Sequence, residues 1–234
     1  MSEDPNRQQK HTIRELFTRI AVHYDQVNRV LSLGQDQRWR KAALDVAALP
    51  PGGRLLDVAT GTGDMALLAL RERGSADVRP RIIGADLTPA MLKLAARKGG
   101  LPWVVSDGLA LAFADDSFDA VTSAFMMRNV PDVAQAMAEQ RRVVKPGGRV
   151  VCLEMTWPQR LPMRWLFGLY FFTVPPLVGK LATGEEEAYR YLPRSVKEFI
   201  DPETLARKME QVGLRDVTWA RRMLGTVVIH VGRK

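Results

Sequence analysis

Three acids stand at the ends of short β-rich runs, and a glycine loop follows the first of them. Asp57 lies at the end of Arg54–Val58, Asp86 follows Arg81–Ala85, and Asp107 follows the run from Trp103. After Asp57 the chain reads Val58-Ala59-Thr60-Gly61-Thr62-Gly63-Asp64. Glycine lets a backbone turn sharply and approach a ligand closely. An acid at the end of a second strand can accept both hydroxyls of a ribose, which is one reading of Asp86; a helix N-cap before Pro89 is the other. Asp107 either accepts from an adenine amino group or merely shapes an Asp-Gly turn with Gly108. Asp57 can accept from loop amides or help hold a cationic ligand. The glycine pattern is G-x-G, with Ala66 where a full dinucleotide fingerprint places its third glycine, so alone it is a weak nucleotide signal.

The elements that must position these residues alternate in kind. Strand candidates are Arg54–Val58, Arg81–Ala85, Trp103–Ser106, Phe118–Ala124 and Arg149–Glu154; helix candidates between them are Asp64–Arg73, Pro89–Lys98 and Val133–Val144. Such alternation predicts βαβ units and a parallel sheet, with ligands at the carboxyl ends of the strands. Arg215–Arg221 and Gly225–Val231 read as two further strands. Together they predict an α/β fold with a mostly parallel seven-stranded sheet, helices on both faces and an antiparallel strand at its edge. The apolar spacing of Ile13, Leu16, Phe17, Ile20, Ala21 and Tyr24 predicts a helix; Gln37–Leu49 predicts another, and Pro202–Val212 a third. The first ten residues read as a loose tail.

The chain has 234 residues, enough for one sizeable core. Its single cysteine, Cys152, forms no internal disulfide, and no apolar signal region follows the polar start, so a cytoplasmic protein is the default. The net charge is +8, with 34 Lys and Arg against 26 Asp and Glu. That balance favours anionic partners such as nucleic acid or a membrane surface, or simply a well-solvated exterior. The segment Leu161–Leu181 is apolar and aromatic, but Pro175-Pro176 is expected to break it and it is too short to span a bilayer. Three histidines, His11, His23 and His230, show no metal-ligand spacing, and no metal is expected.

The acids at three strand ends resemble those of class I S-adenosylmethionine methyltransferases. Tyr24-Asp25-Gln26-Val27-Asn28-Arg29-Val30-Leu31-Ser32-Leu33-Gly34, continuing to Trp39, resembles the N-terminal signature of the UbiE/MenG family of quinone-biosynthesis C-methyltransferases. Arg142–Arg149 followed by Glu154-Met155-Thr156 resembles its second signature. Phe125-Met126-Met127-Arg128-Asn129-Val130 and Ala188-Tyr189-Arg190-Tyr191-Leu192 resemble two further segments. The pattern departs from the family at Val27, Asp36, Met126 and Thr156. Ala124 falls where some members have a cofactor-contacting serine.

The resemblance implies a Rossmann-like single domain over residues 1–234, with an N-terminal helical lid at about 11–49 and an apolar helical insertion at about 160–200. It implies S-adenosylmethionine as cofactor, held by Asp57, Gly61, Thr62, Gly63, Asp86, Leu87, Asp107, Gly108 and Ala124. The acceptor is expected to be a polyprenylated quinol, demethylmenaquinol first and the methoxy-benzoquinol precursor of ubiquinone second. Methylating a ring carbon calls for a base, or a cation that stabilises the phenolate. Arg128 is the first candidate, as a cation rather than a base; a structural ion pair is its alternative. Tyr24, Asp25 and Asn28 would cap the site or merely cap a helix. Of Tyr189 and Tyr191, two apart on a helix, at most one should face the acceptor. The insertion would form a channel for a greasy tail or touch the inner face of the membrane, with Arg160, Arg164 and Lys180 near headgroups; a buried core helix or a homodimer interface is the alternative. A nucleic-acid methyltransferase is disfavoured, since no Asn/Asp-Pro-Pro-aromatic motif follows the fourth strand, and no nucleic-acid partner is expected. A nicotinamide dehydrogenase lacks its fingerprint, and a non-catalytic protein on the same fold would bind no S-adenosylmethionine.

Overall fold

The computed structural model describes residues 5–73 and 79–234. Seven strands form one sheet: β1 (Arg54–Val58), β2 (Arg81–Asp86), β3 (Trp103–Val105), β4 (Phe118–Ala124), β5 (Val144–Met155), β6 (Arg215–Arg222) and β7 (Val227–Arg233). Their spatial order is β3-β2-β1-β4-β5-β7-β6. The pairs from β3 to β5 are parallel, and β7 runs antiparallel to both β5 and β6 at the far side. The order reverses between β1 and β4, which opens a crevice at their carboxyl ends. That crevice is where the acids and the glycine loop converge.

Helices cover both faces. On one, α6 (Val133–Val143) and α9 (Pro202–Gln211) bring Met137, Leu205 and Met209 onto Leu56, Val121 and Val150. On the other, α3 (Asp36–Ala47) and α4 (Asp64–Arg73) pack Leu44, Met65 and Ala69 onto Leu55, Val151 and Leu153. Alternate residues of one strand thus feed opposite cores, as Leu55 and Leu56 do. The helix α5 (Pro89–Lys98) joins β2 to β3. A third cluster holds the N-terminal helices to the insertion: Leu16, Ile20 and Val27 pack with Ala188 and Tyr189. These come from α1 (Pro5–Ile20), α2 (Tyr24–Leu31) and α8 (Glu186–Glu198).

The structure corrects three expectations from the sequence. Residues 5–10, read as a loose tail, are the first turns of α1, and the remainder of that segment lies outside the described residues. One long-range contact fixes this stretch: the Lys10 ammonium meets the Asp107 carboxylate at 2.6 Å. Secondly, Pro175-Pro176 does not break the apolar segment, which is one helix, α7 (Leu161–Thr183). Two prolines remove two intrahelical donors at roughly 3 kcal/mol each. Packing against α8 and α2, with Phe171 buried and the Tyr170 hydroxyl donating to the Leu31 carbonyl at 2.8 Å, offsets that cost. Pro162 in the first turn and Gly184 at φ +72° as C-cap set its ends. Thirdly, β5 begins at Val144 rather than Arg149. Val144 pairs with Phe118 and Arg149 with Ala120, so Lys145–Gly148 bulges between them, with Gly147 at φ +80°.

Candidate active site

The glycine loop is built from beneath. Asp57 is 1% exposed, and its carboxylate accepts the hydroxyls of Thr60 at 2.6 Å and Thr122 at 2.9 Å. Burial raises its pKa to about 6 against those two hydrogen bonds. Asp57 therefore braces the loop from the core and does not line the crevice, and its partners are hydroxyls, not loop amides. Above it, Gly61 and Gly63 take φ values of +58° and +85°, open to glycine. A side chain on Gly63 would lie 2.6 Å from the Trp103 ring.

Asp86 joins the loop to the second strand. Its carboxylate accepts the Gly61 amide at 2.9 Å and the Thr88 amide at 2.7 Å, and it faces a crevice of about 800 Å³. Burial raises its pKa, while the two amide bonds pull the other way. Thr88, at the N-cap of α5, makes no side-chain capping bond. Leu87, Gly108, Ala124 and Asp107 line the same crevice. Asp107 forms the Asp-Gly turn, accepting the Leu109 amide at 2.9 Å, and also faces the crevice, where Lys10 meets it. Ile13 and Phe17 of α1 and Tyr24 of α2 form the opposite wall.

Thr62 and Asp25 stand apart from this crevice. The Thr62 hydroxyl donates to Asp25 and accepts from Lys98 at 2.9 Å; Lys98 also pairs with Asp25 and with Asp64 at 2.8 Å. This cluster pins α2 to the glycine loop. Asp25 and Thr62, read from sequence as site residues, line none of the three cavities at the site, and neither does Gly63.

Tyr24 is the hinge of the arrangement, because it borders the crevice and two further cavities. One, of about 520 Å³, lies across Tyr24 and Phe125 and is walled by Leu31, Trp39, Arg40, Arg128 and Phe171. The other, of about 410 Å³, is walled by Leu16, Asn28, Arg128, Asn129, Tyr189 and Tyr191. Desolvation raises the Tyr24 phenol above its ordinary pKa, opposed by Arg40, Arg128 and a hydrogen bond with Asn28. Arg128 has both of its expected characters at once: it faces the two cavities and it is ion-paired to Glu154, which is wholly buried. Its guanidinium also sits 5.6 Å from the centre of the Phe125 ring.

Tyr189 and Tyr191 both line the third cavity, and neither lines the one across Tyr24 and Phe125. The Tyr191 hydroxyl donates to Asn129 at 3.0 Å, whose amide donates to the Phe125 carbonyl at 2.9 Å. Burial pushes the Tyr189 phenol to about 12. Sequence reasoning missed Lys10, Phe17, Arg40 and Asn129 as site residues. Lys10 fell in the presumed tail, and Arg40 stands one residue beyond the motif that ends at Trp39.

A chain with this geometry has relatives. The model of the ubiE/COQ5 methyltransferase family matches residues 5–234. A ubiquinone/menaquinone biosynthesis C-methyltransferase of Desulfotalea psychrophila is 40% identical over 225 residues, covering 95% of this chain and 90% of that protein. A demethylmenaquinone methyltransferase of Deinococcus radiodurans is 46% identical over 208 residues, covering 87% and 85%. Among solved structures, a SAM-dependent methyltransferase of Thermotoga maritima superposes with a TM-score of 0.68 at 17% identity, over 95% of this chain and 99% of that one, a likeness of fold alone. With the family matched from the first described helix to the last strand, the chain belongs to the ubiE/COQ5 methyltransferase family.

Proposed function

We propose that this methyltransferase carries a methyl group from S-adenosylmethionine to a ring carbon of a polyprenylated quinol, demethylmenaquinol in the first place. The observation that carries the reading is Tyr24 and Phe125 standing between a crevice edged by Asp86 and Asp107 at the strand ends and a second cavity edged by Arg128. The relatives named for demethylmenaquinone support the acceptor. The methoxy-benzoquinol acceptor stays as the second reading, since another relative is named for ubiquinone and menaquinone together.

The crevice fits the cofactor. Asp86 presents a carboxylate for a ribose diol, Gly61 leaves room beside it, and Asp107 and Gly108 edge the space for an adenine. Ala124 and Leu87 add apolar wall, while Asp57 acts from beneath by holding Thr60. When bound, the cofactor supplies an electrophilic methyl whose bond to sulfur breaks with its electrons left on sulfur, as the ring carbon gains the methyl and gives up a proton. The chain supplies orientation, worth up to roughly 7–11 kcal/mol in well-placed cases. Arg128 stabilises negative charge on the acceptor's oxygen, and Tyr24 and Asn28 hold the ring against Phe125.

We also propose that α7 rests on the inner face of the membrane, where such an acceptor dissolves. Trp165, Leu166, Leu169 and Phe172 are exposed at 45–77%. Arg160, Arg164 and Lys180 accompany them, and α7 carries no acid. No helix among the described residues is long and apolar enough to cross a membrane. The test of the function is quinone profiling in cells lacking this protein. Accumulated demethylmenaquinone supports it; an unchanged quinone pool refutes it.

A further inference from the structure

Two arginines edge the cavity beyond Phe125, and a neutral apolar acceptor would need neither. Arg128 enters from the turn after β4, and Arg40 comes from α3, 7% exposed. Their guanidinium carbons lie 5.6 and 5.5 Å from the centre of the same Phe125 ring. The buried Nε of each lacks a hydrogen-bond partner among the described residues. Arg40 has an acid nearby, but its Nε is 3.9 Å from Asp36, whose carboxylate is taken up by the Ser32 hydroxyl at 3.0 Å and the Gln37 amide at 3.1 Å.

A structural arginine in this chain looks different. Arg142 is bonded to Glu139, Asp115 and the carbonyls of Phe113 and Leu111, all at 2.7–2.9 Å. Arg141 also has a free buried Nε, but it lines none of the three cavities at the site. Both side chains line one cavity, Arg128 beside its pair with Glu154 and Arg40 with only a 3.9 Å contact to Asp36, so each guanidinium has donors to spare for an acceptor atom that arrives with the ligand.

We infer that Arg40 is a second oxyanion-binding residue, which with Arg128 holds the acceptor's hydroxyl oxygen as it takes on negative charge. The inference rests on the quinol reading above and adds to it a residue and a charge state. Burial raises the pKa of the phenol of Tyr24, which borders this cavity, and Arg40 and Arg128 pull against that rise. The charged and titratable groups around the position are few. Tyr24 comes from α2, Asp36 and Arg40 from α3, Arg128 from the turn after β4, and Glu154, paired to Arg128, from β5; Phe171 of α7 and Leu192 of α8 are apolar. Two cations thus line the cavity; Asp36 lines it beside Arg40, Glu154 is paired to Arg128, and Asp57 beneath the loop also feels Arg40. A bidentate guanidinium fork suits an oxyanion better than an ammonium does.

The test uses the full chain and two readouts. Bound 1-naphthol serves as a probe that needs no turnover. Its pKa is taken from the same titration without protein, and the naphtholate is read by absorbance. In the unaltered protein the bound probe should ionise at least about one pH unit lower than in solution, and Arg40→Gln should reverse most of that shift. For turnover, kcat/KM of Arg40→Gln with a short-chain demethylmenaquinol should fall roughly a hundredfold at neutral pH. The deficit should shrink as pH rises and the acceptor ionises unaided, and Arg40→Lys should recover part of it. Asp36→Asn with Arg40→Gln removes the pair together, so no lone buried acid destabilises the fold, and it should reproduce the same pH-dependent loss. A loss equal at all pH values, or a naphthol pKa identical in the unaltered protein and both variants, would overturn the assignment. If no quinol is methylated at all, the naphthol titration still decides the role of Arg40.

Discussion

The two sides of the Tyr24–Phe125 partition are built in different ways. On the crevice side, Asp86, Thr88, Ser106 and Asp107 hang from the ends of parallel strands or the loops after them, and Lys10, Arg14 and Tyr24 reach in from α1 and α2. On the other side the walls come from α2, α3, the turn after β4, α7 and α8, drawn together from Tyr24 to Leu192. The first is fixed by sheet topology, and its backbone amides are spent within the loop. The second depends on helix packing and holds the unsatisfied donors. On the proposed reading, the crevice takes the donor common to many acceptors, and the second cavity is where specificity would reside.

If the halves are separable, variants should divide cleanly. The largest effect is expected from Arg128→Lys, which keeps the charge beside buried Glu154 but loses the planar fork. Turnover should fall roughly a hundredfold, with cofactor affinity by calorimetry unchanged within about threefold; a matching loss in both would break the comparison. Asp86→Ala should do the reverse. Losing a charged acceptor costs about 1.5–3 kcal/mol, or roughly 10–150-fold in cofactor affinity, with turnover at saturating cofactor little altered. Equal cofactor affinity in this variant would remove Asp86 from the ribose.

A subtler division concerns α7. Trp165→Ser with Leu169→Ser exposes less apolar surface, each residue contributing about 1.5–3 kcal/mol when buried. Sedimentation with vesicles rich in phosphatidylglycerol should drop by at least about tenfold in affinity, while turnover of a short-chain soluble acceptor holds. Vesicle binding equal to the unaltered protein would take the membrane away from α7.

The smallest effect is on stability, where two buried groups oppose each other. Asp57 has its pKa raised from 3.8 to about 6, so it favours the folded state fully at low pH and loses that contribution as pH rises through 6. His230, wholly buried with Nε2 2.9 Å from the Pro202 carbonyl, is lowered from 6.5 to about 4 by burial. Its contribution is present above 6.5 and is lost as pH falls toward 4. Each is on the order of 2–3 kcal/mol at most, and they nearly cancel between pH 4 and 6.5. Denaturation midpoints of Asp57→Asn should therefore rise with pH across that window, and those of His230→Gln should fall. Parallel slopes in the two variants would contradict both assignments.

What could be read from the sequence follows the same division. β4 and α5 have their expected bounds, and the three strand-end acids lie where alternation places them, because hydrophobic period and a terminal acid are local signals. The loop's inner workings were not local. Asp57 turned inward because Thr122, on a neighbouring strand, reaches it, and Thr62 is engaged by Asp25, from a helix 37 residues earlier. Lys10, Arg40 and Tyr189 gain their places only when α1, α3 and α8 pack around the strand ends, and no spacing rule reports that. The prolines of α7 misled for a related reason, since tertiary packing outweighs a local penalty of a few kcal/mol.

The central claim is methyl transfer to a ring carbon of demethylmenaquinol. Purified protein incubated with S-adenosylmethionine carrying a carbon-13 methyl, together with demethylmenaquinol under reducing conditions, tests it most directly. The account predicts labelled menaquinol with the carbon-13 bonded to the ring carbon, in amounts matched by S-adenosylhomocysteine. Label found on oxygen, or no labelled quinol while another small molecule is methylated, would contradict it.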